Sequence, residues 1–365
     1  MLSGNPRTGA NRRLMATMLA AVLGIASCGA PPTPATPSAS LGAEPTGASQ
    51  TALASSPAPG TAALPAIDTL AELPVVGVIS LAPAVDGAWY VATGTIPTVG
   101  LLSATGIVRS GVAGPAPVAI AASGSDVFLV EGAPETGPPG LPRTDVLERL
   151  DAATFDVLAA APLTELTTAV THTDRLVWTI GTEGTIVAHD DRTLATVWTG
   201  RLEGHGPATI TSGSDAVWAA IGDVGEGTEH GRYVVARIGL TDDHPVLVTT
   251  VAGDGVGPVI AADAGAWLAV ADYPVFDRLY AIDASGHPAD PTLLPVPAGM
   301  AVGDGRLWWV GVDGSVGAID GATQARTPKL VLPGGSGAAI AVDRAIAYVA
   351  AGDQVFVLTV KAPTP

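Results

Sequence analysis

The sequence predicts an all-β chain folded as a seven-bladed β-propeller of four-stranded antiparallel blades. Three observations carry this. Short strands of small apolar residues recur along the chain, each is followed by a second strand with an aromatic near its centre, and several third strands close on a shared Asp-containing turn. The aligned second-strand positions Trp89, Phe128, Trp178, Trp218, Trp267, Trp308 and Ala347 are separated by 39, 50, 40, 49, 41 and 39 residues. Seven copies at that period mark a radial repeat of supersecondary units, none of which buries its own faces alone.

The elements follow in order. First strands read VISLAP (78–83), VAIAAS (118–123), TTAVTH (167–172), ATITSG (208–213), PVIAAD (258–263), AGMAVG (298–303) and AAIAVD (338–343). Their Ala, Val and Ile suit the crowded centre of a ring. Second strands are GAWYVA, DVFLVE, LVWTIG, AVWAAI, GAWLAV, LWWVGV and AIAYVA. Third strands end in RLDAAT, AHDDRT, AIDASG and AIDGAT, where Asp151, Asp190, Asp283 and Asp320 are placed to accept backbone N–H groups two or three residues on. These aspartates are therefore turn formers. Ser103 and Gly239 stand at that place in two drifted copies. Fourth strands such as DVLAAAP, LATVWTG, HPVLVTTV and PKLVLP run outward.

The adjacent pair Trp308–Trp309 discriminates between architectures. Neighbours in a strand point to opposite faces, so a sheet with one wet face would expose an indole. Blades stacked around an axis cover both. The seventh unit stops after its third strand (353–360), and the unclaimed apolar segment ELPVVGV (72–78) is expected to complete it, leaving no open seam.

The second-strand aromatic and the "AID..T/G" turn resemble the bacterial YVTN and quinoprotein-like propeller superfamily, which includes virginiamycin B lyase-like and NHL-like proteins. The resemblance spans residues 71–361, and its motifs specify architecture, with no chemistry attached. The Trp-Asp pair of WD repeats and the paired glycines of kelch repeats are absent.

The N-terminus has its own organisation. Arg7, Arg12 and Arg13 precede an apolar run, Leu14 to Ser27, that is shorter than the roughly 20 residues of a membrane span. This is the form of a secretory signal. It ends in IASC, which resembles the bacterial lipoprotein signal, and that resemblance implies lipidation of Cys28, the chain's single cysteine. The Arg-Arg pair leaves both general secretory and twin-arginine export open. The expected organisation is a signal peptide over 1–27, a lipidated Cys28 with a disordered Pro/Ala/Ser/Thr-rich tether over 28–70, and the propeller over 71–361. Two or more acyl chains on Cys28 anchor a protein to a membrane without a transmembrane helix, so the expected location is extracytoplasmic and membrane-attached.

Net charge is −17, and loss of the leader's three arginines leaves −20. Such a surface excludes nucleic acid, whose affinity comes from phosphate neutralisation, and adhesion to anionic lipid. Chemistry is sparse. There is no Gly-x-Ser-x-Gly elbow, and GDGVG and PGGSG lead into strands, whereas phosphate cradles lead into helices. With Cys28 assigned to lipid, no thiolate is left for a nucleophile or a metal site. His172, His189, His244 and His287 read as surface or satisfied histidines.

In propellers of the resembled type, second-to-third strand loops share a face with the loops between blades, and ligands bind there. Insertions at 131–144 and 222–233, with a smaller one at 271–278, place Glu131, Glu135, Asp223, Glu226, Glu229, His230, Asp272 and Asp277 on that face, with His205 nearby. Two readings follow from these residues, a solvated acidic rim or a divalent-cation site. No resident cofactor is expected. The first functional expectation is a monomeric, non-enzymatic binding or scaffold lipoprotein contacting an envelope protein, glycan or small ligand. The alternative is a metal-dependent lactonase- or lyase-like envelope enzyme working at the channel mouth, an argument by analogy with the superfamily's repertoire.

Overall fold

In a computed structural model of the 365-residue chain, the structure describes residues 65–132, 144–223, 232–240, 246–252, 255–262, 265–272, 276–295, 297–321 and 323–361. Among them are seven four-stranded antiparallel sheets and no helix. Blades 1 to 6 run through residues 78–112, 117–162, 167–201, 208–252, 255–294 and 297–331, each in simple sequential strand order. Blade 7 takes three strands from 337–361 and its fourth, outermost one from Ala66–Leu73.

Burial follows the strand's place in the blade. The second strand Gly87–Ala92 is buried at every position, whereas every residue of the fourth strand Val157–Pro162 is exposed or half-buried. Packing between blades produces this difference. Seven apolar clusters occupy the seven interfaces, each drawing on two neighbouring blades, so the core is divided into layers. The inner strands of successive blades touch in a closed cycle that returns from blade 7 to blade 1. Trp308 packs with Val342 and Val349 of blade 7, and Trp309 with Leu279 and Leu294 of blade 5. Both indoles are thereby removed from water, as the adjacent pair demands.

Closure differs from the sequence expectation in its register. The closing strand is Ala66–Leu73, paired antiparallel with Gln354–Lys361 from Ala66 opposite Lys361 to Leu73 opposite Val355. Of the expected segment 72–78, only Glu72 and Leu73 take part. Pro74 has no N–H to give a ladder, the Val75 N–H turns back onto the Leu73 carbonyl at 2.9 Å, and Gly77 takes a positive φ of 74°. Residues 74–77 therefore form the corner into blade 1, and Val75 and Val78 bury their side chains between blades 7 and 1. Residues 66–70, expected at the end of the tether, are strand.

Pairing also corrects the seventh aromatic. Ala121 faces Phe128, Ala301 faces Trp308 and Ala341 faces Tyr348 across the first two strands of their blades, so Tyr348, not Ala347, is the equivalent residue. AIAYVA carries its central aromatic at Tyr348, one residue beyond the position that a 39-residue spacing from Trp308 picks out. Tyr348 looks onto blade 1, whereas Ala347 looks back to blade 6. Blades 5 and 6 have outer strands of only three and two residues, Thr292–Leu294 and Leu330–Val331, so PKLVLP contributes much less strand than its composition suggests.

The aspartate turns form as expected. Asp151 Oδ1 accepts the N–H of Ala153 at 2.8 Å and of Thr154 at 2.9 Å. Asp190 does the same for Arg192 and Thr193, Asp283 for Ser285 and His287, and Asp320 for Thr323. In the drifted first copy, Ser103 Oγ accepts the Thr105 N–H at 3.3 Å. In three copies the residue four places after the aspartate, Phe155, Leu194 or Gln324, has a positive φ between 56° and 63° and donates its N–H to the aspartate's carbonyl. These turns lie on the lower face, with the first-to-second strand turns. The described second-to-third strand loops and loops between blades lie on the upper face.

Candidate functional site: the upper face

Of the residues proposed from sequence, Glu131 is the best defined. It ends the second strand of blade 2 (Asp126–Glu131), whose preceding residues are apolar and held between blades, and it is 5% exposed. Its Oε2 accepts the N–H of Ala116 at 3.2 Å, which ties the strand end to the loop joining blades 1 and 2. Its Oε1 is buried without a hydrogen-bond partner among the described residues. Burial drives the carboxyl upward from 4.5 to about 7 against the backbone N–H of Ala116, and the nearby Glu148 pushes it further in the same direction. Burial raises Glu148 as well. The pair resembles an acid–base site in its titration, yet Glu131 is almost fully covered. The arrangement is one of a carboxyl holding a loop.

The same use of carboxylates recurs at positions that sequence reasoning missed. Asp145 Oδ2 accepts the buried Thr167 N–H at 2.6 Å, binding blade 2 to the first strand of blade 3. Glu165 accepts both the N–H and the hydroxyl of Thr185 at 3.1 Å. Asp313 accepts the N–H and hydroxyl of Ser315, whose bonds hold its carboxyl below the usual range. The available signal was positional, since each of these residues stands one or two places before the start of a strand.

His205 lies on the upper face between blades 3 and 4. Its Nδ1 is 2.8 Å from Glu183 Oε1, with both side chains well exposed, and its backbone N–H bonds to the Gly222 carbonyl at 3.0 Å. That places His205 beside the strand end that carries Asp223. Asp223 stands opposite Arg232 in blade 4, while in blade 5 Asp272 stands opposite Phe276 and Asp277 opposite Ala271. Glu135, Glu226, Glu229 and His230 lie outside the described residues, as do Cys28 and His244. Among the described residues, no three His, Cys, Asp or Glu side chains approach closely enough to hold a metal ion.

Elsewhere polar groups are committed to packing. Along the inner strands, Thr168 Oγ1 donates to the Ala208 carbonyl at 2.8 Å and Thr171 Oγ1 to Ser212 Oγ at 2.9 Å, joining blades 3 and 4. On the lower face, His172 stacks on Phe128 at 5.3 Å and sits 3.3 Å from Asp191 Oδ2. His189 is buried with Nδ1 3.2 Å from the Leu194 carbonyl, and burial pushes it below the usual histidine range. His287 is exposed.

No protein-family model matches the sequence, and no curated protein matches it. Among solved structures, the crystal structure of BamB from Moraxella catarrhalis is similar to this chain, with a TM-score of 0.53 and 15% identity over 80% of this chain and 99% of that one. The similarity is one of fold.

Proposed function

We propose that this seven-bladed propeller is a non-enzymatic, extracytoplasmic scaffold that binds protein along its rim and is held at a membrane through acylated Cys28. The outer edge of blades 1 to 3 carries this reading. Gly106–Val112, Val157–Pro162 and Thr196–Arg201 are regular edge strands, each with one backbone edge unpaired among the described residues. Val108, Leu158 and Val197 are exposed on them. An unpaired edge with aliphatic side chains accepts an extended segment by strand addition, in which backbone bonds supply affinity and alternate side chains supply selectivity. The IASC signal and the Pro-rich tether agree with a head presented to envelope partners. The described upper-face carboxylates support it too, because those with partners are spent on holding loops.

Photo-cross-linking tests the proposal on the full lipidated chain, with the probe placed at Val108 or Val197 and, as a control, at exposed Val85 on the lower face. Discrete cross-linked protein at the rim positions alone is expected, as is release of the chain from membranes by Cys28→Ser. Cross-links at Val85 only, or turnover of a lactone or glycan by the purified chain, would overturn the scaffold reading. So would a rise in melting temperature with calcium, magnesium, manganese or zinc, which would favour the metal-dependent alternative.

A further inference from the structure

The seven aligned aromatics are covered to different degrees, and the exception is informative. Trp89, Phe128, Trp178, Trp218, Trp308 and Tyr348 are all at most 4% exposed. Trp267 is only partly buried, and it borders a cavity of about 710 Å³ on the lower face between blades 5 and 6. The repeat explains why. At the interface of blades 1 and 2, the turn residue Phe155 of blade 2 reaches back and packs edge-on against Trp89, with centroids 6.2 Å apart. Between blades 2 and 3 the equivalent Leu194, 2% exposed, enters the cluster around Phe128. Between blades 5 and 6 the equivalent residue is Gln324. It keeps the same backbone, with φ 59° and its N–H on the Asp320 carbonyl, but its exposed side chain folds back to the Gly321 carbonyl at 3.1 Å. The residue after the aspartate is Gly321 here and buried Ala152 in blade 2. The plug that closes sister interfaces is therefore missing above Trp267.

We infer that the slot over Trp267 is a binding site for an uncharged aromatic small molecule of two or three rings. Three features set that chemistry. The sister interfaces show which groups fit against the second-strand aromatic, a phenyl ring and a branched aliphatic. The walls continue as Val302, Leu307 and Ala289, so the space is apolar. The charged groups at the mouth already have partners, Arg306 in Asp304 at 2.7 Å and Asp283 in the backbone N–H groups of Ser285 and His287 at 2.9 Å, so neither is left free to select an ion. A cavity of about 150 Å³ holds a benzene, and small-molecule sites span roughly 300–1,000 Å³, so this volume calls for more than one ring. The site lies on the face opposite the inter-blade loops and is independent of rim binding.

The test uses the full chain carrying Cys28→Ser, so that no acyl chain or micelle competes, with N-phenyl-1-naphthylamine as the probe. Saturable 1:1 binding is expected. With 5-fluorotryptophan incorporated, a single fluorine resonance should move, the one absent from Trp267→Phe. Gln324→Phe restores the plug in a backbone already suited to it; it should weaken the probe at least tenfold and raise the melting temperature. Absence of saturable binding, movement of a different tryptophan's resonance, or undiminished binding to a folded Gln324→Phe chain would each overturn the site. Should Gln324→Phe fail to fold, the resonance assignment decides alone. Binding of N-acetyl-phenylalanine amide in the slot without binding of the naphthylamine would overturn the small-molecule reading.

Discussion

Replacing Glu131 with glutamine should make the protein more stable at alkaline pH and less stable in acid. The carboxyl rises from 4.5 to about 7 on folding, so the folded state holds its proton more tightly than the unfolded one. Between those two values stability falls as pH rises, and above about 7 the full penalty is in place. At 1.36 kcal/mol per unit, a displacement of this size costs roughly 3 kcal/mol. Glutamine carries no charge and still offers an oxygen to the Ala116 N–H. It places an amide donor where the partnerless Oε1 stood, and burying that donor without an acceptor costs about 1 kcal/mol. Glu131→Gln should therefore gain about 2 kcal/mol at pH 8 and lose about 1 kcal/mol at pH 4.5. Urea unfolding followed by tryptophan fluorescence at the two pH values reads this as a crossing of midpoints with unchanged slope. Parallel pH dependence in the two proteins would refute the assignment of a buried, proton-holding Glu131.

Three further outcomes follow from the same structure. Trp308→Ala and Trp309→Ala should each cost about 3–5 kcal/mol, because each vacates a different inter-blade layer; chemical denaturation of both variants checks it, and a near-neutral result for either would contradict stacking on both faces. Gly77→Ala should destabilise by several degrees in a thermal melt, since the added carbon would lie 2.1 Å from the Thr93 carbonyl oxygen at a φ of 74°. Asp190→Ala should lower the melting temperature at neutral pH. The hydroxyl and N–H of Thr193 hold that carboxyl below its ordinary value, so its stabilisation is present above 3.8 and lost as pH falls through the lower folded value; the two melting curves should converge in acid.

Blade number and turn chemistry were legible in the sequence because they rest on local rules that repeat. An aspartate that accepts two N–H groups is marked by the Gly, Ser or Thr that follows, and Trp308–Trp309 forces burial on both faces. Register was less legible. The spacing from Trp308 points to Ala347 while the aromatic of AIAYVA is Tyr348, and only strand pairing decides between them; the corner at Pro74–Gly77 reads as apolar as a strand does. The carboxylates were legible only as charges. Glu131 is recognisable as acidic from the sequence, but its burial depends on the loop at 113–116 closing over it, Asp145 finds its partner in the next blade, and Glu165 finds its own in the third strand of the blade it leads into. The open slot at Trp267 becomes visible only when Gln324 is superposed on Phe155 and Leu194, which requires the turns to be in register first.

The ring is closed by its own N-terminal strand, and one cross-link tests that closure. Asp68 and Thr359 are opposed residues of the pair formed by Ala66–Leu73 and Gln354–Lys361. Opposed Cα atoms in antiparallel strands lie about 4.5–5.5 Å apart, within the reach of a disulfide. In a Cys28→Ser background, Asp68→Cys with Thr359→Cys should oxidise to an intramolecular bond in the native protein and resist maleimide labelling. Two freely labelled thiols in a folded chain would show that the first and last strands do not meet.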